Sequence, residues 1–129
     1  MEVELVYIVE DDSIACYVIT KQLDRHDGFR KSQSFKHGEE ALNALIKNVN
    51  QQEFIPDLIF LDINMPVMDG WEFLEAFSKL TYDKNISVII LTSSINPEDK
   101  ERAKTYDVVK GFMSKPLTGD KLDQVLLLI

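Results

Sequence analysis

The sequence lacks the features that mark disulfide-stabilised, secreted and membrane proteins. Its 129 residues include one cysteine, Cys16, so neither an intrachain disulfide nor a multi-cysteine metal site can form. No apolar run approaches the ~18 residues of a membrane span, and the N-terminal stretch carries acid where a signal peptide would carry base. These absences predict a cytoplasmic protein that does not enter a membrane.

Basic charge and flexible residues are also scarce. There are 14 Lys and Arg against 22 Asp and Glu, which gives a net charge of −8. Because phosphate contacts need clustered Lys and Arg, direct DNA binding is disfavoured. The chain has five Gly and four Pro, and 45% of its residues are hydrophobic, which is typical of an ordinary folded protein. Its length predicts a single domain over residues 1–129.

Short apolar runs alternate with segments of helical periodicity along the whole chain. The uninterrupted run DLIFLD is typical of a central strand buried on both faces. The alternation predicts an α/β fold with a doubly wound, five-stranded parallel sheet and helices on both faces. The predicted strands cover residues 5–9, 29–35, 57–62, 86–92 and 109–115.

Each intervening helix should pack an apolar face on the sheet. The predicted core positions are Cys16, Ile19, Leu23, Leu42, Leu45, Ile46, Val49, Phe73, Leu74, Phe77, Leu80, Leu122, Val125, Leu126 and Ile129. The fourth helix offers little besides Ala103 and Tyr106, so it should be the most loosely held. Leu127 and Leu128 lie off the buried face of the last helix, as an association patch or as a partly covered helix end.

Polar side chains follow the ends of four predicted strands. They are Glu10, Asp11 and Asp12, then Asp62, then Thr92 and Ser93, and finally Lys115. The carboxyl ends of parallel strands meet at one edge of such a sheet, so these residues become neighbours. Clustered carboxylates repel one another unless a cation neutralises them. Their hard oxygen ligands, with no Cys or His among them, favour Mg²⁺ (or Mn²⁺) over Zn²⁺.

A phosphoryl group is the natural substrate for this set of residues. Its transfer needs an oxygen nucleophile, a divalent ion and positive charge on the moving oxygens. Asp62 can supply the nucleophile, Lys115 the charge and Thr92 a hydroxyl donor, which predicts an aspartyl phosphate on Asp62. Each residue alone is more often a cap, turn, strand or surface residue, so the hypothesis rests on their joint occurrence. Spacing does not rank Glu10, Asp11 and Asp12 as ligands.

Four motifs resemble those of two-component response regulator receiver domains. They are VYIVEDDS (6–13), PDLIFLDINMPVMDGWEFL (56–74), VIILTSS (88–94) and GFMSKPL (111–117), and the match around them extends over essentially the whole chain. The resemblance, which is to the stand-alone, chemotaxis-like type, implies a flavodoxin-like sheet with strand order 2-1-3-4-5.

The resemblance also implies a role for each matching residue. Asp62 would be the phosphoacceptor, assisted by Thr92 and Lys115. The implied metal ligands are Asp11, Asp62 and the backbone carbonyl of Asn64, with Glu10 acting through water. No organic cofactor is implied.

Further implied roles concern signalling and the lifetime of the phosphate. Thr92 and Phe112 would form a switch that reshapes the surface of the fourth helix, the fifth strand and the fifth helix. A permanently buried Phe112 is the alternative. Asn64 and Ser94 would flank the path of the water that removes the phosphate. The Lys115–Pro116 bond would be cis.

The implied function is a response regulator that accepts phosphate from a sensor histidine kinase or a histidine phosphotransfer domain and then binds a downstream protein. Self-phosphorylation from small phosphodonors and self-dephosphorylation are expected, without other enzyme activity. The alternatives are a phosphorelay shuttle, an aspartyl-phosphate phosphatase and an interaction module that is never phosphorylated. Asn64 stands where such a phosphatase would carry an acid, which disfavours that alternative. A homodimer is left open.

The chain between the first and third predicted strands is longer than in the compact chemotaxis receivers, and two histidines lie outside the motifs. Asp11 and Asp62 are 62 − 11 = 51 positions apart, and the surplus predicts a longer second helix and loop within LIKNVNQQEFIP. His26 and His37 are interpreted as surface residues rather than phosphodonors.

Overall fold

The structure, a computed structural model, describes residues 3–82 and 84–129. Within these residues, five parallel strands form one sheet in the order β2-β1-β3-β4-β5. The strands are β1 Val3–Val9, β2 Phe29–Phe35, β3 Leu58–Leu61, β4 Ser87–Thr92 and β5 Val109–Ser114. The predicted fold class and strand order are confirmed, and each predicted strand end lies within two residues of the observed one.

Five α-helices connect and follow the strands. They are α1 Ser13–Arg25, α2 Gly38–Lys47, α3 Gly70–Ser78, α4 Pro97–Ala103 and α5 Gly119–Leu128. Four of them begin after a side chain that accepts a hydrogen bond from a first-turn N–H group, namely Asp12, Asp69, Asn96 and Thr118. These residues are preferred N-caps because they satisfy backbone donors that the helix leaves free.

The helices cover both faces of the sheet. On one face, α1 and α5 bury Ile19, Leu23, Leu122 and Val125. On the other face, α2 and α3 bury Leu42, Leu45, Phe73, Leu74 and Phe77, and α4 adds Ala103. Because β3 is covered on both sides, all four of its residues are buried. Several predicted core residues are only partly buried against these clusters: Cys16, Leu80, Tyr106, Leu126 and Ile129.

Of the longer second helix and loop predicted within LIKNVNQQEFIP, the structure shows mainly a loop. Helix α2 ends at Lys47, and a short 3-10 helix, Gln52–Phe54, takes up part of the surplus chain. Val49 therefore lies beyond the helix and is 37% exposed, while Ile46 is 54% exposed in its last turn. Both were predicted to be core residues and both predictions are wrong: Val49 lies beyond the end of the helix, and Ile46 lies within it but off the face that buries Ala41, Leu42 and Leu45.

Other predictions about single positions have mixed outcomes. Leu127 and Leu128 are exposed, as expected for residues off the buried face of α5. His37 is exposed, but His26 is not a simple surface residue. Its Nε2 lies 2.7 Å from Asp123 Oδ1, and its Nδ1 accepts a hydrogen bond from the N–H group of Gly28. His26 therefore ties the end of α1 to α5.

Candidate functional site

The ends of β1 and β3 bring two acids together. Val9 pairs with Leu61 at the end of the ladder, so the next residues, Glu10 and Asp62, leave the sheet side by side. The exposed fraction is 3% for Glu10 and 6% for Asp62, which places two carboxylates in an environment that disfavours charge. The end of the buried β3 strand thus fixes Asp62 at the edge of the sheet.

Asp11 completes an acidic cluster with these two residues. Glu10, Asp11 and Asp62 each offer a carboxylate oxygen, and the three oxygens lie within 4.8 Å of one another. Asp12 has a different role, because its side chain caps α1 by accepting from the N–H group of Ile14 at 2.9 Å. The structure therefore separates the three consecutive acids that sequence spacing leaves unranked.

Strands β4 and β5 bring the hydroxyl and the amine to the same edge. Thr92 pairs with Ser114 at the end of the ladder, and the N–H group of Lys115 donates to the Thr92 carbonyl at 2.8 Å. The Lys115 ammonium forms an ion pair with Glu10 Oε1 and lies 3.4 Å from Asp62 Oδ2. The bond between Lys115 and Pro116 is cis, as expected.

Burial and charge shift the pKa values of Glu10 and Lys115. Burial is the largest cause of a raised pKa for Glu10, about 7, and the negative charge of Asp62 adds to it, although the contact with Lys115 opposes both. Burial lowers the pKa of Lys115, but its hydrogen bond with Glu10 and the charge of Asp62 raise it by more. The cluster therefore keeps one ammonium between two acids.

Asn64 links the acceptor candidate to the hydroxyl. Its N–H group donates to Asp62 Oδ1 at 3.0 Å, and its side-chain amide donates to Thr92 Oγ1 at 3.2 Å. The N–H group of Ser94 also approaches Thr92 Oγ1, at 3.4 Å. Asn64 and Ser94 are exposed, Thr92 is buried, and both exposed residues approach its hydroxyl.

Phe112 lies on the same face of the sheet as Thr92. It pairs with Ile90 on β4, two residues before Thr92, and side chains two apart share a face. Phe112 is half-buried and borders a cavity of about 200 Å³ between α4 and β5, lined by Ala103, Lys100 and Lys104 among others. Phe112 also packs against the core, so its switch role and the permanently buried alternative both stay predictions.

The donor chemistry of the acidic cluster fits a hard divalent cation. All three candidate side chains offer carboxylate oxygens, which Mg²⁺ prefers, and Mg²⁺ is usually bound through few carboxylates while it keeps several waters. The buried Glu10 Oε1 contacts the Lys115 ammonium. The Asn64 carbonyl stays a predicted ligand.

Gly70 supports the site but was not predicted from the sequence to do so. Gly70 begins α3 directly beneath the loop after β3, where an added Cβ would lie 2.6 Å from the Ile63 Cα and 2.9 Å from the Asp62 carbonyl oxygen. Only a residue without a side chain allows this approach. The dipeptide Asp-Gly before a helix marks a turn, but spacing alone does not reveal which backbone it touches.

Comparison with known proteins supplies the family context for this geometry. Residues 6–127 match the family model described as the response regulator receiver domain. A crystal structure of a two-component response regulator from Cytophaga hutchinsonii has a TM-score of 0.90 and 29% sequence identity, and the match covers 98% of this chain and 96% of that chain.

Two curated relatives show how such a domain occurs in longer proteins. The probable methanogenesis regulatory protein FilR2 of Methanothrix harundinacea is 25% identical over 122 residues, which are 95% of this chain and 78% of that protein. The sensor histidine kinase CheAY of Helicobacter pylori is 33% identical over 89 residues, which are 67% of this chain and 11% of the kinase. This chain therefore spans only a small part of the kinase.

Among the described residues, no helix is both long and apolar enough to cross a membrane.

Proposed function

Because this chain belongs to the response regulator receiver domain family of two-component signalling, we propose that Asp62 accepts a phosphoryl group from a sensor histidine kinase or a histidine phosphotransfer domain. The observation that carries the proposal is the position of Asp62. It is a buried carboxylate next to Glu10 and Asp11 and within reach of the Lys115 ammonium. A buried acid with this surrounding suits phosphoryl transfer better than a structural role.

The transfer follows from which atom of Asp62 is held by which neighbour. A carboxylate oxygen of Asp62 attacks the phosphorus of a phosphohistidine, so a P–O bond forms as the P–N bond breaks and its electron pair stays on the imidazole nitrogen. The N–H group of Asn64 orients Oδ1 at 3.0 Å, and the Lys115 ammonium stands 3.4 Å from Oδ2. Lys115 stabilises negative charge on the moving oxygens, and the Thr92 hydroxyl donates to one of them.

A bound Mg²⁺ (or Mn²⁺) would neutralise the acids and the phosphoryl oxygens at the same time. The residues proposed to hold it are Asp11, Asp62 and the Asn64 carbonyl, with Glu10 acting through water. Receiver domains generally bind Mg²⁺ at an acidic pocket, and the cluster of three carboxylates supports this assignment.

The proposed output is a change in the surface formed by α4, β5 and α5. Phosphate on Asp62 would draw the Thr92 hydroxyl towards it, and Phe112 could then move into the space that Thr92 leaves. The half-buried position of Phe112 and the cavity beside it support such a movement. The altered surface would bind a downstream protein, while a phosphorelay shuttle would instead pass the phosphate to a histidine phosphotransfer domain.

The proposal also covers the organisation and chemistry of the whole domain. Residues 1–129 would act as one receiver domain in the cytoplasm. Self-phosphorylation from small phosphodonors would occur, and self-dephosphorylation would be slow to moderate, because neither Asn64 nor Ser94 beside Thr92 is an acid that could act as a strong base.

Intact mass after incubation with acetyl phosphate and Mg²⁺ tests the proposal. Wild type should gain the mass of one phosphoryl group, and Asp62→Asn should gain none. Asp12→Asn is the matched control, since asparagine also caps a helix and Asp12 lies beside the cluster without belonging to it. It should be labelled like wild type, and EDTA should prevent labelling in both.

Each alternative function predicts a different result. An unlabelled wild type would support the interaction module, and labelling of Asp62→Asn would show that another residue is the acceptor. Sustained release of phosphate from small phosphomonoesters, lost in Asp62→Asn, would favour the phosphatase. Transfer of labelled phosphate to a phosphotransfer domain faster than to water would favour the shuttle.

A further inference from the structure

Lys115 lies at the end of β5, an edge strand that pairs with β4 on one side only. It follows the last residue of β5, and its N–H group is bonded to the Thr92 carbonyl. The carbonyl groups on either side of it, those of Ser114 and Pro116, both accept hydrogen bonds from a single side chain on α5. That side chain is Lys121.

The Lys121 ammonium bonds to both flanks of Lys115. It donates to the Ser114 carbonyl at 2.6 Å and to the Pro116 carbonyl at 3.0 Å, and it also approaches the Ser114 hydroxyl at 3.4 Å. An ammonium group has three donors. Lys121 can therefore direct all of them to the short segment that carries Lys115.

The position of Lys121 in its helix makes this arrangement informative. Thr118 caps α5 and accepts a hydrogen bond from the N–H group of Lys121, so Lys121 lies in the first turn. The first turn is the positive end of a helix, where acidic residues are favoured and a lysine is disfavoured. A residue that breaks a local preference without an evident local gain points to a role elsewhere.

We propose that Lys121 is a positioning residue for Lys115, holding the backbone on both sides of it so that the Lys115 ammonium stays against Glu10 and Asp62. The inference rests on the proposed function, because it assigns Lys121 to the phosphorylation of Asp62. The side chain of Lys115 is 18% exposed, so solvent offers its ammonium an alternative position once the segment loosens. Lys121 touches neither Asp62 nor the phosphoryl group in this arrangement and acts through Lys115.

The first test compares the phosphorylation rate of Lys121→Met with that of wild type and of a control in which another lysine is replaced by methionine. Methionine retains the length of the side chain and removes all three donors. At a temperature where both proteins are folded by circular dichroism, Lys121→Met should phosphorylate at least about tenfold more slowly with acetyl phosphate and Mg²⁺, since small misplacements of catalytic groups have effects of this size. The Mg²⁺ affinity should be unchanged, because Lys121 lies outside the acidic cluster.

Lys47→Met is the control, because Lys47 is exposed in the last turn of α2, outside the acidic cluster and the proposed output surface. Its rate should stay within about twofold of wild type, as expected for a surface substitution. Lys121→Arg keeps donors at the same place and should recover most of the rate. If Lys121→Met does not fold, Lys121→Gln, which keeps an amide donor without the charge, takes its place in every comparison.

A double-mutant comparison separates positioning from a general effect on the fold. If Lys121 acts through Lys115, then Lys121→Met should slow wild type but add nothing further to Lys115→Met. A purely structural role would slow both backgrounds by the same factor.

Each other result counts against a specific step. Equal rates for Lys121→Met and Lys47→Met, with wild type labelled normally, would overturn the inference and leave the proposed function standing. Equal slowing in both backgrounds would also overturn it. An unlabelled wild type would reject the proposed function, and the role of Lys121 would fall with it.

Discussion

Glu10 is buried beside Asp62 and Lys115, and burial raises its pKa from 4.5 to about 7. Because the folded pKa lies above the unfolded pKa, the folded protein binds more protons in this interval. The stabilising contribution of Glu10 is complete below about pH 4.5 and is lost as the pH rises through about 7. Without divalent cations, Glu10 should therefore lower the free energy of unfolding between these values, by at most about 1.4 kcal/mol per pH unit.

Urea unfolding in EDTA at several pH values checks this prediction. In Glu10→Gln the titrating group is gone, so the slope between pH 5 and 7 should be flatter than in wild type. Parallel curves for the two proteins would show that Glu10 does not titrate in this interval.

Among the described residues other than glycine, Val67 alone has a positive φ, of 69°. It is 92% exposed, and the N–H group of Met68 donates to the Pro66 carbonyl at 2.8 Å across it, which forms a tight three-residue turn. A β-branched residue is strained there. Val67→Gly should raise the free energy of unfolding by about 1 kcal/mol, because the relief of strain exceeds the entropy cost of glycine. The free energies of unfolding are measured by urea denaturation, with Val67→Ala, which retains the Cβ, as the control. An equal increase in stability in both variants would contradict backbone strain as the cause.

At the scale of elements, the start of α3 depends on a close approach that the start of α5 does not need. Gly70 and Gly119 are both the first residue after an N-cap. A Cβ at Gly70 would meet backbone atoms of Ile63 and Asp62, whereas a Cβ at Gly119 would meet nothing within 4 Å. In urea denaturation, Gly70→Ala should lose about 1–3 kcal/mol, the usual cost of overpacking. Gly119→Ala should be neutral or gain up to about 1 kcal/mol, and a similar loss in both would rule out the steric cause.

Helix α4 should be the most mobile helix on the timescale of hydrogen exchange. It has seven residues, and Ala103 is the one that is buried. The Arg102 guanidinium also lies 4.5 Å from the centre of the Trp71 ring, a contact of about 0.5–1 kcal/mol. Mass spectrometry should show faster amide exchange in α4 than in α5, and faster still in Arg102→Ala. Lys100→Ala is the matched control on the same helix, and equal acceleration by both variants would exclude a role for the ring contact.

For the whole molecule, a divalent cation should couple the acidic cluster to global stability. A ligand that binds the folded state alone stabilises it, by about 2.7 kcal/mol at 100 times its Kd. Mg²⁺ should therefore raise the melting temperature of wild type, and the increase should disappear on chelation. Asp62→Asn should respond less because it removes one carboxylate. A matching increase in Asp62→Asn would place the cation elsewhere.

Sequence patterns predicted the elements well where a single local cause decides them. The apolar run of β3 is long enough to be a strand, and all four residues of the observed strand are buried. Prediction failed at Ile46 because apolar spacing does not show how wide the buried face of a helix is, and at Val49 because the sequence does not mark the end of α2. Periodicity is the same on both sides of that end.

The sequence by itself determined the layered α/β architecture, because burial of apolar runs and satisfaction of backbone hydrogen bonds act over short stretches of chain. It also placed the acids, the hydroxyl and Lys115 at the ends of strands. Only the tertiary structure decided how these groups meet: Asp12 serves as a cap while Asp11 joins the cluster, Asn64 bridges Asp62 and Thr92, and Lys121 reaches both flanks of Lys115. Such contacts join residues from different elements, so their distances depend on how the strands and helices pack together and not on their spacing along the chain.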